Sequence, residues 1–174
     1  MPRAKPARRV RTIYKTPWFA LESFKHPHNS QSYYRLTSPD SAAVLAVTPD
    51  KKIIIVRQYR PAIGKSDMEL PAGHMNKGET PVQTARREFL EETGYECESF
   101  VPLGMYRVAN SRLNHKVYAF FGRNARPAKK YVREKGIARI LVSEKQFHQL
   151  IKQRKFVAIA SIGFYYLAKT RGLI

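Results

Sequence analysis

Until about residue 80 the apolar positions alternate with polar ones or come in short continuous bursts; from there to Gly94 their spacing is helical, and strand patterns then return before two last helices. Thr12 to Ser23 and Gln31 to Leu36 read as strands, separated by a turn at Pro27, His28 and Asn29. Ala42 to Val47 and Ile53 to Arg57 are β-rich runs flanking Pro49, Asp50 and Lys51, whose turn chemistry predicts a hairpin. A short segment, Met68 to Leu70, leads into a loop from Pro71 to Glu79 that holds Gly73 and Gly78. Helix signals then coincide. Thr80 suits an N-cap, Pro81 the first helical position, and Gln83 completes a capping box. Val82, Ala85 and Phe89 recur at helical spacing and predict a core-facing stripe, and Gly94 supplies the stop. Strands resume at Val101 to Val108 and Lys116 to Phe121, and again at Ile137 to Leu141 after a basic linker from Arg123 to Arg133. Ser143 caps a helix reaching about Gln153, and Ser161 to Thr170 predicts a last, mostly buried helix. Strands on both sides of helices, in mixed order, predict an α/β sandwich with a mixed sheet.

The 174 residues suffice for one compact core, and 43% apolar with 26% charged residues is an ordinary globular balance. A single cysteine, Cys97, excludes an intramolecular disulfide and a cysteine-cluster zinc site. The longest charge-free stretch, Phe156 to Ala168, falls short of the roughly 20 residues a spanning helix needs. The basic stretch from Met1 to Thr12 has no apolar segment behind it and is not read as a secretory signal. A reduced, cytoplasmic location is expected, with no membrane partner. Charge changes the picture. Lys plus Arg number 32 against 13 acids, a net +19 that attracts phosphorylated molecules, nucleic acid or acidic surfaces without choosing among them. Most of the few acids lie between Asp67 and Glu98.

Glu88, Glu91 and Glu92 stand at i, i+3 and i+4 on the helix that begins at Thr80, so one face carries all three. Adjacent carboxylates repel one another unless a cation sits between them, and hard oxygen ligands of this kind select Mg²⁺ or Mn²⁺. A solvated acidic helix face is the competing explanation. Glu79 and Arg87, two turns apart, are placed to stiffen the junction of loop and helix. Gly73 permits a close backbone approach, so the carbonyl of Ala72 is a candidate further ligand.

The segment GHMNKGETPVQTARREFLEETGY, Gly73 to Tyr95, resembles the Nudix box at Gly73, Glu79, Arg87, Glu88, Phe89, Glu91, Glu92, Gly94 and Tyr95. The resemblance implies a Nudix-type α/β/α sandwich with a mixed β-sheet. It implies Glu88, Glu91 and Glu92 as metal ligands, Glu91 or Glu92 as catalytic carboxylates, and Glu79 with Arg87 as a structural pair. The reaction it implies is Mg²⁺-dependent hydrolysis of a nucleoside diphosphate linked to another group, by attack of an activated water on phosphorus.

VRQYRPAIGKSDMELPAG, Val56 to Gly73, is similar to the segment preceding the box in ADP-ribose and nucleotide-sugar pyrophosphatases. That likeness implies a phosphate contact for Arg60 and a metal-ligating carbonyl at Ala72. It also implies an N-terminal antiparallel sheet, residues 11–40, exchanged within a homodimer, between a basic tail (1–10) and a Nudix domain (41–174). Trp18 is then the candidate to stack on the partner's base, or else a dimer-core aromatic, and Arg35 is a candidate for a phosphate or ribose contact. Asn110 stands where ADP-ribose-specific members usually carry proline, and the loop Ala109 to Lys116 holds no carboxylate; His115 falls where their catalytic glutamate is expected. An imidazole there is either a base, since histidine titrates near neutrality, or a bystander at a strand start. His26 and His28 flank Pro27 and make a poor metal pair, whereas His74 follows the box glycine. The expected substrates are nucleoside diphosphate sugars, with a relaxed preference. The alternatives are dinucleoside polyphosphate or RNA-cap hydrolysis, or a non-catalytic nucleic-acid-binding relative favoured by the +19 charge.

Overall fold

The computed structural model describes residues 9–132 and 134–174, so the expected basic tail lies almost wholly outside the described residues. The chain forms two compact units: one of residues 9–40 and 107–116, the other of residues 41–106 and 117–174.

In the first unit, β1 (Arg11–Lys15), β2 (Ala20–Lys25) and β3 (Ser32–Thr37) form an antiparallel meander. The continuous run expected from Thr12 to Ser23 is broken at Thr16, whose hydroxyl accepts from the amides of Trp18 and Phe19 and so makes a turn. This sheet takes a fourth strand from a distant part of the sequence. Leu113–Asn114 pairs in parallel with Leu36 and Thr37, so the sheet is not purely antiparallel.

The second unit holds β4 (Ser41–Val47), β5 (Ile53–Arg60), β6 (Lys65–Glu69), β7 (Ala72–His74), α1 (Pro81–Thr93) and β8 (Tyr95–Glu96). After them come β9 (Ser99–Tyr106), β10 (the Leu113–Asn114 strand of the first unit), β11 (Val117–Arg123), β12 (Arg126–Pro127), β13 (Ile137–Val142), α2 (Glu144–Lys152) and α3 (Ile159–Thr170). The main sheet runs β13-β5-β4-β11-β9, with β4 and β11 parallel and the other pairs on this path antiparallel. A strand buried on both faces reads as continuous apolar sequence, and β4, SAAVLAV, is buried throughout. Its alternate residues serve two cores. Ala42, Val44 and Ala46 pack with Ala85 and Phe89 of α1, while Ala43, Leu45 and Val47 pack with Phe147 of α2 and Phe164, Tyr165 and Ala168 of α3. The α/β/α layering is thus written in the period-2 geometry of one strand.

Two expectations about helix faces change. Val82 is exposed, and the buried side of α1 instead runs through Thr84, Ala85, Phe89, Glu92 and Thr93. The last helix is half buried: Ser161, Phe164, Tyr165 and Ala168 face the core, while Ile159 and Tyr166 are exposed. Its high apolar content hid a one-sided pattern. Among the described residues no helix is long and apolar enough to cross a membrane.

Candidate metal centre

The site is built on the two ends of α1. At the N-terminus Thr80 and Gln83 form the expected capping box: the Gln83 amide donates to the Thr80 hydroxyl, and the Thr80 amide donates to Gln83 Oε1 at 2.8 Å. At the C-terminus Gly94 adopts φ +70°, and its N–H closes the last turn on Leu90 O at 2.8 Å. Before the helix, β7 pairs with the start of β4 and lays Ala72 and Gly73 beside the middle of α1. A Cβ at residue 73 would fall inside the Glu88 carboxylate, so glycine there lets the acid lie against the strand.

Arg87 organises the acids. Its Nε and Nη2 donate to the two oxygens of Glu79 at 2.7 and 2.9 Å, and Nη2 also donates to His74 O at 3.0 Å. Nη1 donates to Glu88 at 2.7 Å and to Glu91 at 3.1 Å. Glu79 accepts further bonds from the Thr84 hydroxyl and the Asn76 amide, each at 2.9 Å. The guanidinium, helped by these donors, holds the Glu79 carboxyl well below its ordinary range. The expected pairing of Glu79 with Arg87 is present as a two-point contact.

Glu92 is 4% exposed, and its Oε2 accepts from the Ala72 N–H at 3.0 Å. Burial pushes its pKa up to about 8; Glu88 and Glu134 add repulsion, against which the Ala72 amide and Arg60 work. Glu88 is raised too, burial again the largest cause, with the Arg87 guanidinium opposing it. A carboxyl of this kind, buried beside other acids, gains most from a cation.

Glu134 completes the arrangement. Carboxylate oxygens of Glu88, Glu92 and Glu134 lie within 4.8 Å of one another, and the Glu134 amide donates to Glu91 O at 3.1 Å. Glu91 stands beside this trio, half-exposed and bonded to Arg87. An open cleft of about 630 Å³ lies over the cluster, lined by Arg87, Glu88, Leu90, Glu91, Val132 and Glu134. Sequence reasoning missed Glu134 because it is far from the helix along the chain. The available signal was its isolation, as the single acid among the bases of residues 123–136.

Arg60 forms a two-point ion pair with Glu69, at 2.8 and 2.7 Å. Trp18, Arg35 and His115 belong to the other unit. Trp18 is 69% exposed, and Arg35 pairs with Glu22 at 2.8 Å over the Phe24 ring. His115 is buried, its Nδ1 2.8 Å from Pro39 O and 3.1 Å from the Ser38 hydroxyl. A carbonyl only accepts, so Nδ1 carries a hydrogen.

Residues 37–157 match the family model of the NUDIX domain. The chain belongs to the Nudix family. It is 39% identical over 101 residues to the ADP-ribose pyrophosphatase of Bacillus subtilis (strain 168), 58% of this chain and 55% of that one. It is 55% identical over 60 residues to the methanol dehydrogenase activator of Bacillus methanolicus, 34% of this chain and 32% of that one. The chain thus spans between about a third and about half the length of these two relatives. The fold is that of a solved ADP compounds hydrolase, with a TM-score of 0.81 over 97% of this chain and 96% of that one at 18% identity. Nudix enzymes generally use a divalent cation, and the hard, all-oxygen donor set of Glu88, Glu92 and Glu134 suits one.

Proposed function

We propose that this Nudix protein is a Mg²⁺-dependent pyrophosphohydrolase of nucleoside diphosphate sugars, including ADP-ribose, yielding a nucleoside monophosphate and a sugar phosphate. The carrying observation is the cluster of Glu88, Glu92 and Glu134, whose first member Arg87 holds together with the neighbouring Glu91. The relatives named as an ADP-ribose pyrophosphatase and, in Mus musculus, an ADP-sugar pyrophosphatase support the substrate class. Mn²⁺ is the other cation this donor set would accept.

Glu88 and Glu92 would hold the metal with the carbonyl of Ala72, and Glu91 is the further ligand from the same helix. When bound, the cation lowers the pKa of its water and neutralises charge on the diphosphate. Glu134, the exposed member of the donor set, would help to hold the cation and, being open to the water to be deprotonated, is also assigned as the proton acceptor. His115 is the weaker assignment for that role, since it is buried against Pro39 and Ser38. Arg60 would bind a substrate phosphate by exchanging Glu69 for it. Trp18 and Arg35 would serve the base and the ribose or phosphate across a homodimer, and the location would be cytoplasmic.

The test is a panel of nucleoside diphosphate sugars, ADP-ribose, dinucleotides and nucleoside triphosphates, each with Mg²⁺ or Mn²⁺ and full product analysis. Monophosphate plus sugar phosphate is expected; inorganic phosphate as the first product excludes the reading.

A further inference from the structure

The last turn of a helix leaves carbonyls without intrahelical partners, and here one stretch of chain takes up two at this end, while Arg139 takes the Thr93 carbonyl. The Ala128 amide donates to Gly94 O at 2.9 Å, and the Glu134 amide donates to Glu91 O at 3.1 Å. Between these two bonds the ring of Tyr131 lies directly on Gly94. A Cβ at residue 94 would fall inside that ring, so glycine here serves a contact as well as the positive φ of the helix stop. The outcome is a strap across the C-terminal end of α1 whose far end delivers a carboxylate to Glu88 and Glu92.

We infer that Tyr131 is a positioning residue: seated on Gly94, it fixes where the strap runs and so holds Glu134 in the metal cluster. Among the described residues one backbone bond ties Glu134 to the helix end, and the bases near it in sequence, Lys129, Lys130 and Lys135, gain nothing from carrying it to other acids. The aromatic seat supplies a second fixed point three residues before it. Sequence distance explains the need. The strap begins about thirty-five residues after α1 ends, at Ala128 after Thr93, so its register on the helix depends on such contacts. This inference rests on the role proposed above for Glu134.

The experiment compares wild type, Tyr131→Ala, Tyr131→Phe and Glu134→Gln by three readouts: hydrogen exchange at the Glu134 amide, Mn²⁺ affinity by electron paramagnetic resonance, and kcat and KM with ADP-ribose. Tyr131→Ala is expected to speed exchange at Glu134 at least about tenfold while leaving the amides of the α1 interior protected. It should weaken Mn²⁺ binding and lower kcat about tenfold with KM little changed, the size typical of residues that orient a ligand. Tyr131→Phe, which keeps the ring on Gly94, should match wild type throughout. Wild-type exchange at Glu134 in Tyr131→Ala would overturn the seat itself, and faster exchange with unchanged Mn²⁺ affinity and kcat would overturn its function. Glu134→Gln with wild-type affinity and kcat would instead remove the role assigned to Glu134, whatever the exchange data show.

Discussion

At the scale of single residues, the informative group is Glu92, because it is almost completely buried and its acid dissociation is pushed up to about 8 from an ordinary 4.5. Between those values the metal-free folded protein keeps a proton that the unfolded chain has released. Its stability therefore falls as pH rises from about 4.5 to about 8. Each unit of such a shift is about 1.4 kcal/mol, so a melting temperature several degrees lower at pH 8 than at pH 5.5 is expected without metal. Metal must displace the same proton, so Mg²⁺ should raise the melting temperature more at pH 8 than at pH 6. A thermal scan series with and without Mg²⁺ reads both slopes, and a flat metal-free profile would contradict them. Glu92→Gln separates function from fold at this position. It should lower turnover about 10²-fold or more at saturating Mg²⁺. The metal-free variant should melt higher than wild type at pH 8, because the amide carries no charge to bury. Near wild-type activity would defeat the assignment of the site.

At the scale of elements, α1 was legible almost completely, since its punctuation is local chemistry. Thr80, Pro81 and Gln83 announced the start and Gly94 the stop, and the structure shows both ends there. Thr80→Ala should cost about 1 kcal/mol, read as a lower denaturant midpoint with an unchanged slope. The spacing of Glu79 and Arg87 was legible for the same reason, and their two-point contact predicts a sharper effect. Arg87→Lys keeps the charge but loses the planar fork that holds Glu79, Glu88 and Glu91 together. Weaker Mn²⁺ binding is expected from it, and unchanged affinity would show that charge alone organises the acids. What could not be read locally was long-range. Glu134 reaches the site only because β8 and β12 pair and the strap crosses the helix end. The pairing of Leu113 with Leu36 likewise joins segments far apart in sequence, which no local pattern encodes. The misjudged faces of Val82 and the last helix have one origin: apolar character marks a side chain as buriable, but the neighbouring layer decides which side is covered.

At the scale of the whole molecule, the first unit concentrates exposed large side chains in a short stretch of chain. Ile13, Tyr14, Trp18, Phe19, Tyr34 and Leu36 are all exposed there, Tyr14 at 61% and Trp18 at 69%. A small sheet with this many exposed large side chains is poorly stabilised alone, and such a surface is one that a second chain would cover. A second copy is the occupant proposed, and the prediction is a homodimer of twice 20.1 kDa in light scattering. Net charge argues the same way by elimination of looser association. At +19 two copies repel, so a dimer must be held by apolar burial, and it should tighten as salt screens the repulsion. Ile13→Glu with Tyr34→Glu adds acids to the apolar surface and should give a monomer. Trp18→Ala tests what the dimer does for the site. If Trp18 stacks on the substrate base across the interface, its loss raises KM more than it lowers kcat, because stacking favours ground and transition states alike. A fully active wild-type monomer at nanomolar concentration would sink the proposal, and so would a Trp18→Ala variant that stays dimeric with unchanged KM.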